Sequence, residues 1–152
     1  MGKAFDEILR KSLLARVGGQ SVAVEKVTVQ KRILIVDAYL HSLEGLRWSL
    51  MHGEWKVETA TDTWQAIKKV KESPFEVAII DLGLPPVHGL TMSGWDLVRI
   101  FRAFHPGISI IVVSADGGPE VKAQAELLKV SEFLEKPIDL ARLKAVVSRL
   151  DP

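Results

Sequence analysis

Four polar residues close four short apolar runs. Asp37 follows Ile33-Leu34-Ile35-Val36, Asp81 follows Val77-Ala78-Ile79-Ile80, Ser114 follows the run from Ile108 to Val113, and Lys136 follows Glu132-Phe133-Leu134-Glu135. Two carboxylates brought together make a hard oxygen site of the kind magnesium takes, since that ion favours carboxylates with waters and phosphate oxygens. A lysine adds a compact positive charge, and a serine hydroxyl adds a donor for an anion. These are the parts for phosphoryl chemistry: a carboxylate oxygen as acceptor, with a metal and an ammonium to neutralise the group in transfer. Each residue alone has an ordinary explanation, an Asp after a strand as a turn former and a Lys-Pro as a loop. Their joint placement is the signal. No glycine-rich phosphate cradle supports nucleotide binding. The absence of cysteine excludes thiolate nucleophiles, disulfides and cysteine-based zinc sites, and it fits a cytoplasmic setting. His41, His52, His88 and His105 are scattered without ligand spacing.

The elements that must carry these residues follow from periodicity. The strand-like runs are rich in Val and Ile and do not alternate with polar residues, the pattern of parallel strands buried on both faces. Val57 to Ala60 is a further strand, and Glu132 to Glu135 a weaker fifth. Between the runs lie helical stripes: Leu43, Leu46 and Leu50; Ala66, Ile67 and Val70; Leu97, Val98, Phe101 and Phe104; a helix from Pro119 to Val130; and Leu140, Leu143, Val147 and Leu150. Five strand-then-helix units predict an α/β fold with a five-stranded, doubly wound parallel sheet and helices on both faces. In such a sheet the site lies beyond the carboxyl ends of the strands, which selects Asp37, Asp81, Ser114 and Lys136 again.

With 152 residues, 47% hydrophobic and 26% charged, the chain has room for one domain with a real core. A formal net charge of +1 gives no reason to expect nucleic acid or a membrane surface as partner, and no apolar run approaches a membrane span of about 18 residues. Residues 31–152 read as the domain and residues 1–30 as an N-terminal extension. Phe5, Ile8, Leu9, Leu13 and Val17 predict an amphipathic helix there, ended by Gly18-Gly19. The four tryptophans, Trp48, Trp55, Trp64 and Trp95, are expected to pack helices or cover the sheet ends, and Lys68, Lys69 and Lys71 to form a solvated helix face.

The segments ILIVDAYL (33–40), VAIIDLGLPPVHG (77–89), IIVVSA (110–115) and FLEKP (133–137) together resemble the receiver domains of two-component response regulators, over roughly residues 31–152. The resemblance implies a flavodoxin-like receiver fold and a phosphoryl acceptor at Asp81. It implies magnesium held by Asp37, Asp81 and the backbone carbonyl of Gly83, with Lys136 and Ser114 contacting the phosphoryl group. Phe133 matches the aromatic position that accompanies switching, and the Lys136-Pro137 bond matches a cis peptide. It implies mainly a signalling phospho-acceptor, with self-catalysed phosphotransfer and autodephosphorylation as the activities open to it. Its partners would be a sensor histidine kinase or phosphotransfer protein and a downstream protein target. Self-association is expected through the N-terminal helix or the face of the fourth and fifth helices. With no residues after Pro152 to form an output unit, a single-domain regulator is the expectation.

Two departures stand out. Family members carry two adjacent acids after the first strand, whereas Ala38 follows Asp37 here, so magnesium is expected to bind weakly. The loop after Pro85 reads about four residues long, with Leu90 to Ser93 as the insert and either Gly89 or Gly94 at the family glycine position. Ala38 also sustains a second reading, a pseudo-receiver that keeps the fold as an interaction module. A third, an aspartate-nucleophile hydrolase of the haloacid dehalogenase type, requires Asp-x-Asp where the chain has Asp37-Ala38-Tyr39.

Overall fold

The computed structural model describes residues 31–85 and 92–150. The stripe of residues 5–17 and residues His88, Gly89 and Leu90 lie outside the described residues. Five strands, β1 (Lys31–Val36), β2 (Trp55–Ala60), β3 (Val77–Asp81), β4 (Ser109–Ser114) and β5 (Glu132–Glu135), alternate with α1 (Leu40–Leu50), α2 (Thr63–Glu72), α3 (Gly94–Phe104), α4 (Pro119–Leu127) and α5 (Leu140–Arg149). The strands form one parallel sheet in the order β2-β1-β3-β4-β5.

Successive side chains of a strand point to opposite faces, so an uninterrupted Val/Ile run fills both. On one face Leu34, Val36, Ala78, Ile80, Ile110 and Val112 pack with Ala66 and Val70 of α2 and Leu97, Val98 and Phe101 of α3. On the other, Ile33, Ile35, Val77, Ile79, Ile111 and Val113 meet Leu43, Leu46 and Leu50 of α1 and Leu143, Val146 and Val147 of α5. Each Val, Leu, Ile or Phe side chain among them gains about 1.5–3 kcal/mol on burial before ordering entropy is subtracted. No described helix is long and apolar enough to cross a membrane.

Polar caps set where the helices begin. The Asp62 carboxylate accepts from the Gln65 amide, and Asp139 accepts from the amides of Ala141 and Arg142. Ser93 and Asp96 cap α3 reciprocally, and the two Ser93 donors hold the Asp96 carboxyl below the usual carboxylate range.

Two boundaries and the placing of the tryptophans differ from the sequence reading. β2 starts at Trp55 rather than Val57, because Trp55 and Lys56 pair in register with Lys31 and Arg32. The fourth helix stops at Leu127 rather than Val130. Lys129 turns into the left-handed region with φ 54°, and the Val130 amide returns to the Ala125 carbonyl. The tryptophans divide: Trp55 and Trp95 are partly buried against the two cores, but Trp48 and Trp64 stand largely in solvent, because the stripes of α1 and α2 turn other residues inward. Lys68 and Lys71 are exposed, as a solvated face requires.

Gly94 opens α3 directly over the end of β3. A β-carbon there would come to 2.8 Å from Leu82 Cδ2, 2.9 Å from Leu82 Cα and 3.4 Å from the Asp81 carbonyl oxygen. Gly94 thus makes a close backbone approach that a side chain would obstruct. Gly94→Ala is expected to lower stability by about 1–3 kcal/mol, the usual cost of overpacking. Gly45→Ala, in the open middle of α1, should raise it by about 0.5–1 kcal/mol. Thermal and urea unfolding of the two variants check this, and equal stability would mean that Leu82 moves aside freely.

Candidate functional site

The strands that end in polar residues are neighbours in the sheet. Val36 is level with Ile80 and Ser114 is level with Glu135, so the residues at or just past these ends emerge along one edge. Chain order reverses between β1 and β3, and at such a switch point the diverging connections leave a crevice. Asp37 is 1% exposed, Asp81 3% and Ser114 7%. Burying a carboxylate is costly unless it is paired and hydrogen-bonded, and the local backbone supplies that pairing.

Asp81 Oδ2 receives the Lys136 ammonium at 2.7 Å, and its Oδ1 accepts the Gly83 amide at 2.8 Å. Asp37 Oδ1 accepts the Tyr39 amide at 2.8 Å. Both acids therefore sit in tight turns that lock one oxygen to the amide two residues on. Lys136 is placed from below by its own backbone, whose amide donates to the Ser114 carbonyl at 2.8 Å. The Lys136-Pro137 bond is cis. Ser114 Oγ accepts the Asp116 amide at 3.0 Å, which leaves its hydroxyl proton to donate elsewhere. Phe133 lies on β5 opposite Val112, packed partly buried against the core on the α2/α3 side rather than beside the carboxylates.

One contact was not legible in the sequence. The Tyr39 ring, exposed at the mouth, lies under the Lys136 ammonium with 5.4 Å between nitrogen and ring centroid. Tyr39 thus touches the site twice, through its amide to Asp37 and through its ring to Lys136. An aromatic three residues past a strand is too common a pattern to reveal this.

Two carboxylates against one ammonium leave the mouth negative, an environment that draws a cation. Among the described residues, Asp37 makes no hydrogen bond through its second oxygen. The donor chemistry of two carboxylates suits magnesium, which takes one or two protein carboxylates and keeps several waters. Ala38 adds no oxygen, and among the described residues no three acidic, histidine or cysteine side chains gather as a metal cluster.

The profile of the family described as the response regulator receiver domain matches residues 33–148. The response regulator protein PilR of Pseudomonas aeruginosa is 29% identical over 119 residues, 78% of this chain and 26% of that protein. The transcriptional regulatory protein KdpE of Mycobacterium tuberculosis is 33% identical over 121 residues, 77% of this chain and 51% of that one. The chain thus spans about a quarter to a half of the length of these relatives. Among solved structures, a CheY-like receiver domain protein from Methanospirillum hungatei superimposes with a TM-score of 0.70 at 25% identity, covering 80% of this chain and 94% of that one. The chemotaxis protein CheY4 of Vibrio cholerae shares the fold with a TM-score of 0.71 at 23% identity, covering 80% and 99%.

The buried Asp81–Lys136 pair makes a stability prediction independent of any reaction. Removing one partner strands the other, whereas removing both relieves the problem. Because Lys136 is a quarter exposed, Lys136→Met should cost about 1–3 kcal/mol, less than a fully buried pair would. Asp81→Asn/Lys136→Met should recover part of that loss. Urea unfolding of the four proteins in a double-mutant cycle checks it, and strictly additive losses would mean that the two charges do not interact.

Proposed function

The chain belongs to the response regulator receiver domain family, and from that premise we propose that it is a response regulator whose Asp81 accepts a phosphoryl group. Receiver domains serve phosphorylation-based two-component signalling, generally bind magnesium at the phosphorylation site, and interact with histidine kinases or phosphotransfer proteins. The observation that carries the reading for this chain is the 2.7 Å contact between Lys136 and a buried Asp81 at the carboxyl edge, with Asp37 just past β1 and Ser114 at the end of β4.

In this reading an oxygen of the Asp81 carboxylate attacks the donor's phosphorus. The new O–P bond forms as the donor's bond to phosphorus breaks, and the donor's leaving group keeps that electron pair. Lys136 holds the carboxylate in place beforehand and moves its hydrogen bond to a phosphoryl oxygen afterwards. The Ser114 hydroxyl donates to another phosphoryl oxygen. Asp37, Asp81 and the Gly83 carbonyl would hold magnesium, whose positive charge offsets that of the incoming phosphoryl group. Ser114 and Phe133 then bias a two-state domain toward the form whose face on α4, β5 and α5 meets a downstream protein. A shift from 1:99 to 99:1 requires about 5.5 kcal/mol of differential stabilisation, and a doubly charged group beside Lys136 is a credible source of much of it.

This reading takes residues 31–152 as a single-domain cytoplasmic regulator with residues 1–30 as an extension. A second reading, a pseudo-receiver acting as an interaction module with little phosphorylation, is favoured by Ala38 alone, since it deprives the metal of an acidic side chain.

A small-molecule phosphodonor with magnesium, read by intact mass, tests the proposal. The wild type should gain the mass of one phosphoryl group and Asp81→Asn none. A gain that survives Asp81→Asn removes Asp81 from the role, and no gain in the wild type favours the pseudo-receiver. In a separate titration Ala38→Asp should tighten magnesium binding by about 10–100-fold, the scale on which partners of a metal site act. Equal affinity in both proteins would show that another group already fills the place of the missing acid.

A further inference from the structure

Among the described residues, the opposite end of the sheet carries a surface that no other element covers. Lys31, the first described residue of the domain, is paired in register with Trp55. Trp55 lines a shallow groove of about 270 Å³ with Leu50, His52 and Val147, between the carboxyl-terminal ends of α1 and α5. Beside the groove Trp48 stands 65% exposed, its indole edge-on to the His52 ring at 4.8 Å, and Met51 is 40% exposed. Among the described residues, an indole, a thioether and an imidazole thus stand exposed together at one helix end. Core packing does not require Trp48 there, since α1 already presents Leu43, Leu46 and Leu50 to the sheet.

The sequence before Lys31 holds a matching apolar surface. Phe5, Ile8, Leu9, Leu13 and Val17 fall on one helical stripe. The sheet has no room for it, because α1 and α5 cover one face and α2 and α3 the other. We propose that residues 5–17 dock as an amphipathic helix on this groove of the same molecule, laying the stripe over Trp48, His52 and Trp55. The reach is ample. Residues 18–30 can span about 40 Å when extended, whereas α1 is only about 16 Å long, and the chain joins the domain at the strand that pairs with Trp55. Tethering at this distance gives an effective concentration in the millimolar range, which favours the molecule's own groove over that of a second copy. The inference does not depend on the phosphoryl reading, since Asp81 lies at the other end of the strands.

The absence of cysteine allows a direct test on the full chain. A nitroxide is attached at Lys11→Cys, on the polar flank of the stripe rather than in it, and the four indole N–H resonances are followed by nuclear magnetic resonance. The Trp48 and Trp55 signals should lose most of their intensity. Those of Trp64 and Trp95, on helices that begin at the opposite edge, should persist and report an intact fold. Adding Leu9→Asp and Leu13→Asp should restore the lost signals. Uniform or absent broadening would overturn the proposal. So would broadening carried from spin-labelled to separate isotope-labelled molecules in a mixed sample, which would place the stripe on a second copy.

Discussion

A carboxylate that is 3% exposed must have its charge answered from within the protein, and at Asp81 the answer is the Lys136 ammonium at 2.7 Å. Much of the architecture can be read as what that contact requires. Asp81 ends β3 and Lys136 follows β5, two strands that are not neighbours; β4 stands between them. The lysine reaches across because its backbone amide is tied to the Ser114 carbonyl at the end of β4, and Leu82, just past Asp81, is tied to Val113 on the same strand. β4 is thus the ruler that sets the spacing of the pair. Its own side chains are buried almost throughout, which keeps the ruler stiff.

The same contact explains how a carboxylate can be buried at this edge of the sheet without a large cost. The pair neutralises Asp81 in the resting protein, while Asp37 on β1 leaves a net negative charge at the mouth. A phosphoryl group placed on Asp81 would reverse the balance, adding negative charge where only Lys136 and any bound cation can offset it. The elements around the edge are held unevenly. α4 contributes only Ala125 to the fully buried set, and Phe133 is only partly buried, whereas β1, β3 and β4 are locked between two apolar layers. Local stability that is uneven in this way would let the proposed switch act without melting the sheet.

Much of this was legible in the residues. β1, β3 and β4 are written as Val/Ile runs that only a doubly covered parallel sheet can use, and the rule that sites lie past their carboxyl ends led to Asp37, Asp81, Ser114 and Lys136 with no further information. What escaped is what depends on side-chain packing rather than period. Trp55-Lys56 does not read as strand, yet it pairs, because Lys31 and Arg32 extend β1 to meet it. α4 ends at Leu127 through a left-handed Lys129 where neither Gly nor Asn gives warning. The close approach of Leu82 to Gly94 likewise carries no sequence signature. The Tyr39 ring under Lys136 depends on two rotamers, and no pattern of residue types encodes that.

The central claim is that Asp81 carries the phosphoryl group while Lys136 and Ser114 hold it. The measurement that bears on it most directly is a crystal structure of the full chain with magnesium and a beryllium fluoride mimic of the phosphoryl group. The account predicts the mimic bonded to an Asp81 carboxylate oxygen. Lys136 Nζ and Ser114 Oγ should each lie within about 2.7–3.2 Å of its fluorines. A mimic bound at another residue, or bound at Asp81 with Lys136 and Ser114 turned away from it, would contradict the account.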